Sequence, residues 1–358
     1  MERFTGKVAK MLFAVAAVCV LAVSLVACAQ GSASASKSSV SASSGSAAAS
    51  SASASSSVAS AASASAPLDG PVKVMALNGP TGIGMAQLSE NTQAYDVRFV
   101  GATDEVVSSL ASGSVDIAAV PTNLASVLYN RTQGGVTMVA VDTFGTLYLL
   151  SADPSVTSIA DLRGHAVKAT GQGANPQYIL EHLIAQEGLS LDEDVSVEYL
   201  AEHAELAALA SKGEVDVALL PQPFVAVAQN NNADLNVAVD MGQAWKQATG
   251  SDLAMGCVVV RTEFLEQHPE AVAAFLADLE ASVNFAATDT QGAAQLCVDK
   301  GILPNVQVAT AAIPNCSLVF VTGADMRSAV EGYLSVLFDA NAASVGGALP
   351  GDDFYFMP

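Results

Sequence analysis

Two glycine-rich stretches of this 358-residue chain, "NGPTGIGM" (78–85) and "TGQGANPQY" (170–178), hold the residues best suited to chemistry. Each follows a short apolar run and leads into a helical pattern. Both set amide and hydroxyl side chains among glycines, and neither contains an acidic or basic residue. Groups of this kind donate hydrogen bonds. Backbone amides exposed after a glycine turn can also cradle an anion or a polar head group. The candidates are Asn78, Gly79 and Thr81 in the first stretch, and Thr170, Gln172, Gly173 and Asn175 in the second. A turn kept small for packing would use the same glycines, and the first stretch lacks the Gly-x-x-x-x-Gly-Lys-Ser/Thr spacing of a nucleotide loop. Asn175 precedes Pro176, so it also reads as a helix N-cap with proline at the first helical position.

Further candidates follow two prolines. Thr122 and Asn123 come after Pro121, and Gln222 after Pro221. Thr122 or Asn123 could instead cap the helical run "LASVLYN". Phe144 could pack on a ligand or within a hinge, and Trp245, the only tryptophan, could stack or pack. Glu202 and His203 form a pair suited to acid–base work. The chain has four histidines and no serine or cysteine nucleophile in a recognisable elbow, so catalysis is set aside; the pair lies just after a strand and could reach the cleft rim, but it is not counted among the site candidates. His165 and His268 read as surface, and His182 as helix surface or packing. No Cys-x-x-Cys or Cys/His spacing suggests a metal, and no cofactor is implied.

The elements that must position these residues are written twice. At an offset of one hundred the chain aligns without a gap from Val97 to Pro121 and from Val197 to Pro221. "VRFV" and "VEYL" read as strands. "DEVVSSLAS" and "AELAALASK" read as helices that end at Gly113 and Gly213. "VDIAAV" and "VDVALL" read as strands covered on both faces, each stopped by proline. With a strand, glycine turn and helix start before each copy, the pattern predicts two α/β lobes with parallel-rich sheets. The chain is expected to cross to the second lobe near 142–145 and return near 253–256. Lobe 1 would then be 67–143 plus 255–358, and lobe 2 would be 144–254. Helices are expected at 263–286, 289–299 and 323–340, with Thr262 and Thr322 as N-caps of the first and third. Ligands bind outside the carboxyl ends of strands in such sheets, so two lobes joined by two hinge crossings enclose a cleft.

The front end reads differently. Arg3, Lys7 and Lys10 precede an apolar run from Met11 to Ala27, as in an export signal (1–27). Leu25-Val26-Ala27-Cys28 resembles the lipobox of bacterial lipoproteins, which makes Cys28 a diacylglyceryl (palmitate-type) lipid site. Residues 29–66 are almost only Ser and Ala, too poor in apolar bulk to repay ordering, so 28–66 reads as a lipidated tether. Of the 14 basic residues, Arg3, Lys7, Lys10 and Lys37 precede Pro67, and of the 35 acidic ones only Glu2 does. The body thus carries 10 basic against 34 acidic side chains, which excludes nucleic acid and other polyanionic partners. Cys297 and Cys316 are spaced for a disulfide in an oxidising compartment, or for two buried thiols. Cys257, in "MGCVVV", reads as packed.

Over 71–358 the chain resembles the type II periplasmic-binding-protein fold. More narrowly, it is similar to the solute-binding subunits of ABC importers for nitrate, sulfonates, taurine and thiamine-pyrimidine precursors. The resemblance is carried by "GSVDIAAVPTNLASVLYN", "GEVDVALLPQPF", "SIADLRGHAVKATGQGANPQYIL" and the ending "IPNCSLVFVTGADM…SVGGALPGDDFYF". It implies a monomeric, lipid-anchored extracytoplasmic receptor with no catalytic residues. Such a receptor delivers a small solute, of the sulfonate, carboxylate or heterocycle class, to a permease and its ATPase. A receptor for a sensor shares these features. A pyrimidine-synthase-like enzyme on the same fold would need a cofactor-accepting lysine, for which only Lys168 stands near a cleft loop, and supporting His and Cys groups that the chain lacks.

Overall fold

Each copy of the repeated segment builds the middle of its own sheet. In the computed structural model the described residues are 68–358, so the expectations for the export segment, Cys28 and the tether lie outside them. The first pass of the chain forms β1 (Val72–Leu77), α1 (Pro80–Met85), β2 (Tyr95–Val100), α2 (Thr103–Ala111), β3 (Ile117–Pro121), α3 (Thr122–Thr132) and β4 (Val136–Thr143). The second pass forms β5 (Leu147–Ser151), β6 (Ala166–Thr170), α4 (Asn175–Gln186), β7 (Ser196–Leu200), α5 (His203–Ser211), β8 (Val217–Pro221), α6 (Phe224–Asn231), β9 (Asn236–Asp240) and α7 (Met241–Thr249). The chain then returns through β10 (Gly256–Arg261), α8 (Thr262–Gln267), α9 (Pro269–Thr288), α10 (Thr290–Asp299), α11 (Val306–Ala312), β11 (Leu318–Val321) and α12 (Gly323–Ala340).

One sheet has the order β11-β4-β10-β3-β1-β2, the other β9-β5-β8-β6-β7. Apart from the extra β11, the two orders match element by element. We call the part built on the first sheet lobe 1 and the other lobe 2. The sheets are parallel-rich as expected but mixed, since most strands of each run one way and the strands that cross from the other lobe, with β11, run against them. Within each repeat β1 pairs parallel with β2 and β3, and β6 with β7 and β8. The strands that enter from the opposite lobe, β5 and β10, pair antiparallel with both neighbours. They start at the cleft end, where the chain crosses, and can only run away from it.

The repeated aspartate turns out to be a structural device. Asp116 accepts the Lys73 amide at 3.1 Å and pairs with Arg261 at 3.0 Å. Asp216 accepts the Ala166 amide at 3.0 Å and faces His165, also at 3.0 Å. Each carboxylate satisfies the first amides of the neighbouring parallel strand, at the end of the sheet away from the cleft. Gly113 and Gly213 close their helices with φ of 70° and 73°, a conformation that favours glycine.

The crossings are short and tight. A side chain at Gly145 would place its Cβ 2.6 Å from the Gly242 Cα, so this crossing admits only glycine. Trp245 does not reach the cleft. It is fully buried on α7, with its ring centroid 5.8 Å from that of Tyr333 on α12 and 5.2 Å from that of His182 on α4. The lobes therefore share an apolar core behind the hinge.

Several local expectations are corrected. The helix expected at 263–286 breaks after Gln267, because Pro269 cannot supply an amide to continue it and starts α9 instead. Thr262 is the first residue of α8 and donates to the Gly134 carbonyl at 2.7 Å rather than capping. Thr322 precedes α12 without a side-chain cap bond. Asp289 caps α10 through the Gly292 amide. The bridge between Cys297 and Cys316 is absent: both are free, buried thiols, and Cys316 Sγ donates to the Ala312 carbonyl at 3.2 Å. Burial pushes the Cys297 thiol up to about 12. Cys257 is likewise buried and free. Helix α9 is long and apolar enough to cross a membrane, but Val272, Phe275, Leu279 and Val283 pack into the core of lobe 1.

Candidate functional site

The carboxyl ends of β1, β3, β6 and β8 converge on a cavity of about 560 Å³ between the lobes. Pro121 and Pro221, which end the two repeated strands, both line it. A wall of this kind follows from the fold, since strands that end in parallel leave their amides and the next helix starts facing one space. From lobe 1 come Asn78, Thr81 and Asn123, and from lobe 2 Gly171, Asn175 and His203. The hinge crossings supply the floor through Thr143, Thr146, Met255 and Gly256.

Electrostatically the cavity is plain. None of its lining residues is Lys, Arg, Asp or Glu, and His203 is the one that titrates. Most of the exposed lining is apolar, with amide and hydroxyl groups set into it, the composition expected of a small-molecule site. Lys168, the lysine expected near a cleft loop, pairs with Glu198 and does not line the cavity.

Asn123 and Asn175 meet across the gap. Asn175 Nδ2 donates to Asn123 Oδ1 at 2.9 Å, and Asn123 Nδ2 donates to the Ser344 carbonyl at 3.2 Å. Both ends of the Asn123 amide are thus engaged, with one N–H still open, whereas Asn175 Oδ1 is buried without a partner. A second link lies beside it, where Asn341 Nδ2 donates to Tyr178 Oη at 2.8 Å. The Tyr178 hydroxyl in turn donates to the Gly173 carbonyl at 3.3 Å. The C-terminal segment around 341–344 therefore braces the second glycine loop.

The expectation that Asn175 caps its helix is corrected. Ala174 holds that position without a side-chain cap, and Asn175 and Pro176 occupy the first two helical positions. Gly171 shapes the turn: its φ is 79°, and a Cβ there would lie 2.9 Å from Pro176.

Of the sequence-derived candidates, Asn78, Thr81, Asn123 and Asn175 line the cavity. Gly79 lies buried between two lining residues. Thr170 is buried one layer behind, 2.5 Å from His203 Nδ1. Gln172 is exposed on the loop, and the Gly173 amide is taken by Gln177 Oε1 at 2.7 Å. Thr122 and Gln222 are turned inward. Their amides bond the crossings, Thr122 to the Met255 carbonyl and Gln222 to the Thr146 carbonyl, each at 3.0 Å. This pairing rotates both side chains away from the cavity. Phe144 packs against the core behind the hinge.

The floor and Thr103 were missed. Thr103 is the repeat counterpart of His203, so the offset of one hundred could have found it. The floor carries no motif, and only the crossing itself marks it.

Beneath that floor Asp142 is completely buried, with neither carboxylate oxygen hydrogen-bonded. It sits where β4 and β10 shift register by one residue, a bulge that turns its side chain inward. A Cβ on Gly256 would come 2.7 Å from Asp142 Oδ1, so glycine there makes room for the carboxylate. Burial pushes Asp142 up to about 7, and the neighbouring Thr143 hydroxyl acts against this without closing a bond. Among the described residues no cluster of His, Cys, Asp and Glu could hold a metal ion.

The family model described as "ABC transporter, phosphonate, periplasmic substrate-binding protein" matches residues 84–301. Among solved structures, the chain is similar to an ABC transporter protein from Parabacteroides distasonis, with a TM-score of 0.70 and 24% identity over 81% of this chain and 99% of that one. It is also similar to the periplasmic aliphatic sulphonate binding protein SsuA from Escherichia coli, with a TM-score of 0.64 and 17% identity over 81% and 93%. The alkanesulfonate-binding protein SsuA from Xanthomonas axonopodis pv. citri, bound to MOPS, gives a TM-score of 0.56 and 15% identity over 80% and 97%. At these identities the structures speak to the fold, which is the periplasmic-binding-protein fold. A comparison with curated protein sequences yields no match. The family match spans more than half of the chain and is to binding proteins, not enzymes: this protein belongs to the periplasmic substrate-binding proteins of ABC transporters.

Proposed function

We propose that the protein is a lipid-anchored extracytoplasmic receptor that holds one small solute between its lobes and presents it to the permease of an ABC importer. The observation that carries the solute class is the uncharged, mostly apolar cavity with amide and hydroxyl groups converging from both walls. A solute with an apolar portion and a polar or singly charged head fits it, as in a sulfonate, a carboxylate or a heterocycle. A doubly charged phosphonate would bring a second charge that no lining residue matches, although the family description names phosphonate. The aliphatic sulphonate of the Escherichia coli protein agrees with the first class.

Anchoring through Cys28 and the 28–66 tether completes the reading, with 1–27 removed on export and the receptor acting as a monomer. The lobe boundaries, 67–143 plus 255–358 and 144–254, are supported by the membership of the two sheets. Asn78, Thr81, Asn123 and Asn175 are the side chains assigned here to solute contact, a reading supported by their lining the cavity.

The test is mass spectrometry of ligand released from the purified protein, followed by thermal shift with sulfonates, carboxylates and pyrimidines. Ligand at a hundredfold Kd should add about 2.7 kcal/mol. No released ligand and no shift with any class would overturn the assignment of the cavity. Replacing Cys28 by Ala should release the protein from membranes, and retention would refute the lipid anchor.

A further inference from the structure

His203 is the one residue on the cavity wall that can change its charge. It stands at the first position of α5, where no side chain caps the helix. Its Nδ1 lies 2.5 Å from Thr170 Oγ1 on β6, and its ring centroid lies 5.2 Å from that of Phe224 on α6. Contacts from two different elements thus hold the imidazole against the wall. On the opposite wall the same repeat position is Thr103, a hydroxyl that does not titrate in this range.

We propose that His203 makes the cavity selective for an anionic solute by taking up a proton from solvent as the anion binds. The inference rests on the reading of the cleft as the solute site and names the group that recognises charge there. Burial pushes His203 below the usual histidine range, and the exposed Glu202 beside it acts in the opposite direction. The residues in contact with it from other elements, Thr170 and Phe224, and the lobe 1 polar residues lining the same cavity, Asn78, Thr81, Thr103 and Asn123, carry no charge. The amino end of α5 adds a partial positive charge that further disfavours imidazolium. A negative head group reverses both penalties, since it attracts the ring proton and the helix end together. Affinity for an anion must then rise as pH falls, by up to about tenfold per unit between the histidine pKa values of the empty and filled sites. An uncharged solute of the same shape gains nothing.

The experiment is titration calorimetry of the purified protein at about pH 5.5 and about pH 7.5, in buffers of different ionisation enthalpy so that proton uptake is counted. The probes are methanesulfonate, ethanesulfonate and acetate, with dimethyl sulfone and acetamide as uncharged partners. The expected result is an anion that binds with proton uptake and is roughly three- to tenfold tighter at the lower pH. His203→Gln should abolish the uptake and the pH dependence while keeping the melting temperature. Glu202→Gln, which leaves the ring in place, should move the profile to lower pH. Anion binding without proton uptake, or a pH dependence retained in His203→Gln, overturns the proposal. If only the uncharged probes bind, the receptor reading stands and the role of His203 falls. If neither class binds at either pH, both fall.

Discussion

The two lobes share one frame and differ where they face each other. Their sheets have the same strand order, their second repeated strands end in the same proline, and the next amide in each bonds a carbonyl of the opposing crossing. Asp116 and Asp216 hold equivalent strands in the same way. At the cavity the copies part: Thr103 stands opposite His203, and Thr122-Asn123 answers Gln222-Pro223. A second divergence lies at the ends of β4 and β9. Asp240 caps α7 through two amides, whereas Asp142 is buried beneath the floor with no partner. What is common to the lobes is the geometry that makes a wall, and what differs is the chemistry on it.

That contrast can be broken at Asp142. Its folded-state value, about 7, lies above the 3.8 of an ordinary aspartate, so the folded protein holds this proton more tightly than the unfolded chain. Stability from this group is therefore complete below about pH 4 and is lost as pH rises towards 7, by at most about 4 kcal/mol. Asp142→Asn should melt above the wild type by its full margin at about pH 8 and by less than half of that margin at about pH 5. Equal shifts at both values would mean that Asp142 is solvated or paired. The shared aspartates sharpen the comparison at a smaller scale. Asp116 and Arg261 are mostly shielded from solvent, while the Asp216 side chain is 42% exposed. Asp116→Ala should cost about 2–3 kcal/mol in denaturant unfolding and Asp216→Ala about 1. The opposite order would show that the two lobes do not use the residue alike.

Across the cavity, Asn175→Ala should weaken solute binding by about 1 kcal/mol, roughly fivefold, because it removes the bond to Asn123 and an open acceptor. Asn341→Ala touches no lining residue directly, and its expected mark is faster dissociation in stopped flow with little change in association. The smallest expected effect concerns Cys257, Cys297 and Cys316, which all lie in lobe 1. Reductant should leave the melting temperature unchanged, whereas losing a disulfide over this loop would cost about 3 kcal/mol.

The paired strands, their prolines and the crossings were legible because each depends on local pattern: apolar runs, a glycine stop, a proline end. The loops that carry Asn78, Thr81 and Asn175 were legible for the same reason. The inward turn of Thr122 and Gln222 was not, since it follows from a hydrogen bond to a crossing strand more than seventy residues away. The mixed character of the sheets was also hidden, because periodicity states that a segment is a strand and not which way it enters.

By itself the sequence determined two α/β halves of repeated pattern, an acidic body and the absence of catalytic constellations, since these rest on residue type and spacing along the chain. Tertiary structure alone decided that Asp142 lies unpaired under the floor, that the Asn123 and Asn175 amides meet, and that His203 is the cavity's titratable residue. Those outcomes depend on which surfaces the two crossings bring together. Distances between residues far apart in the chain are set by packing of the whole, and no local signal encodes them.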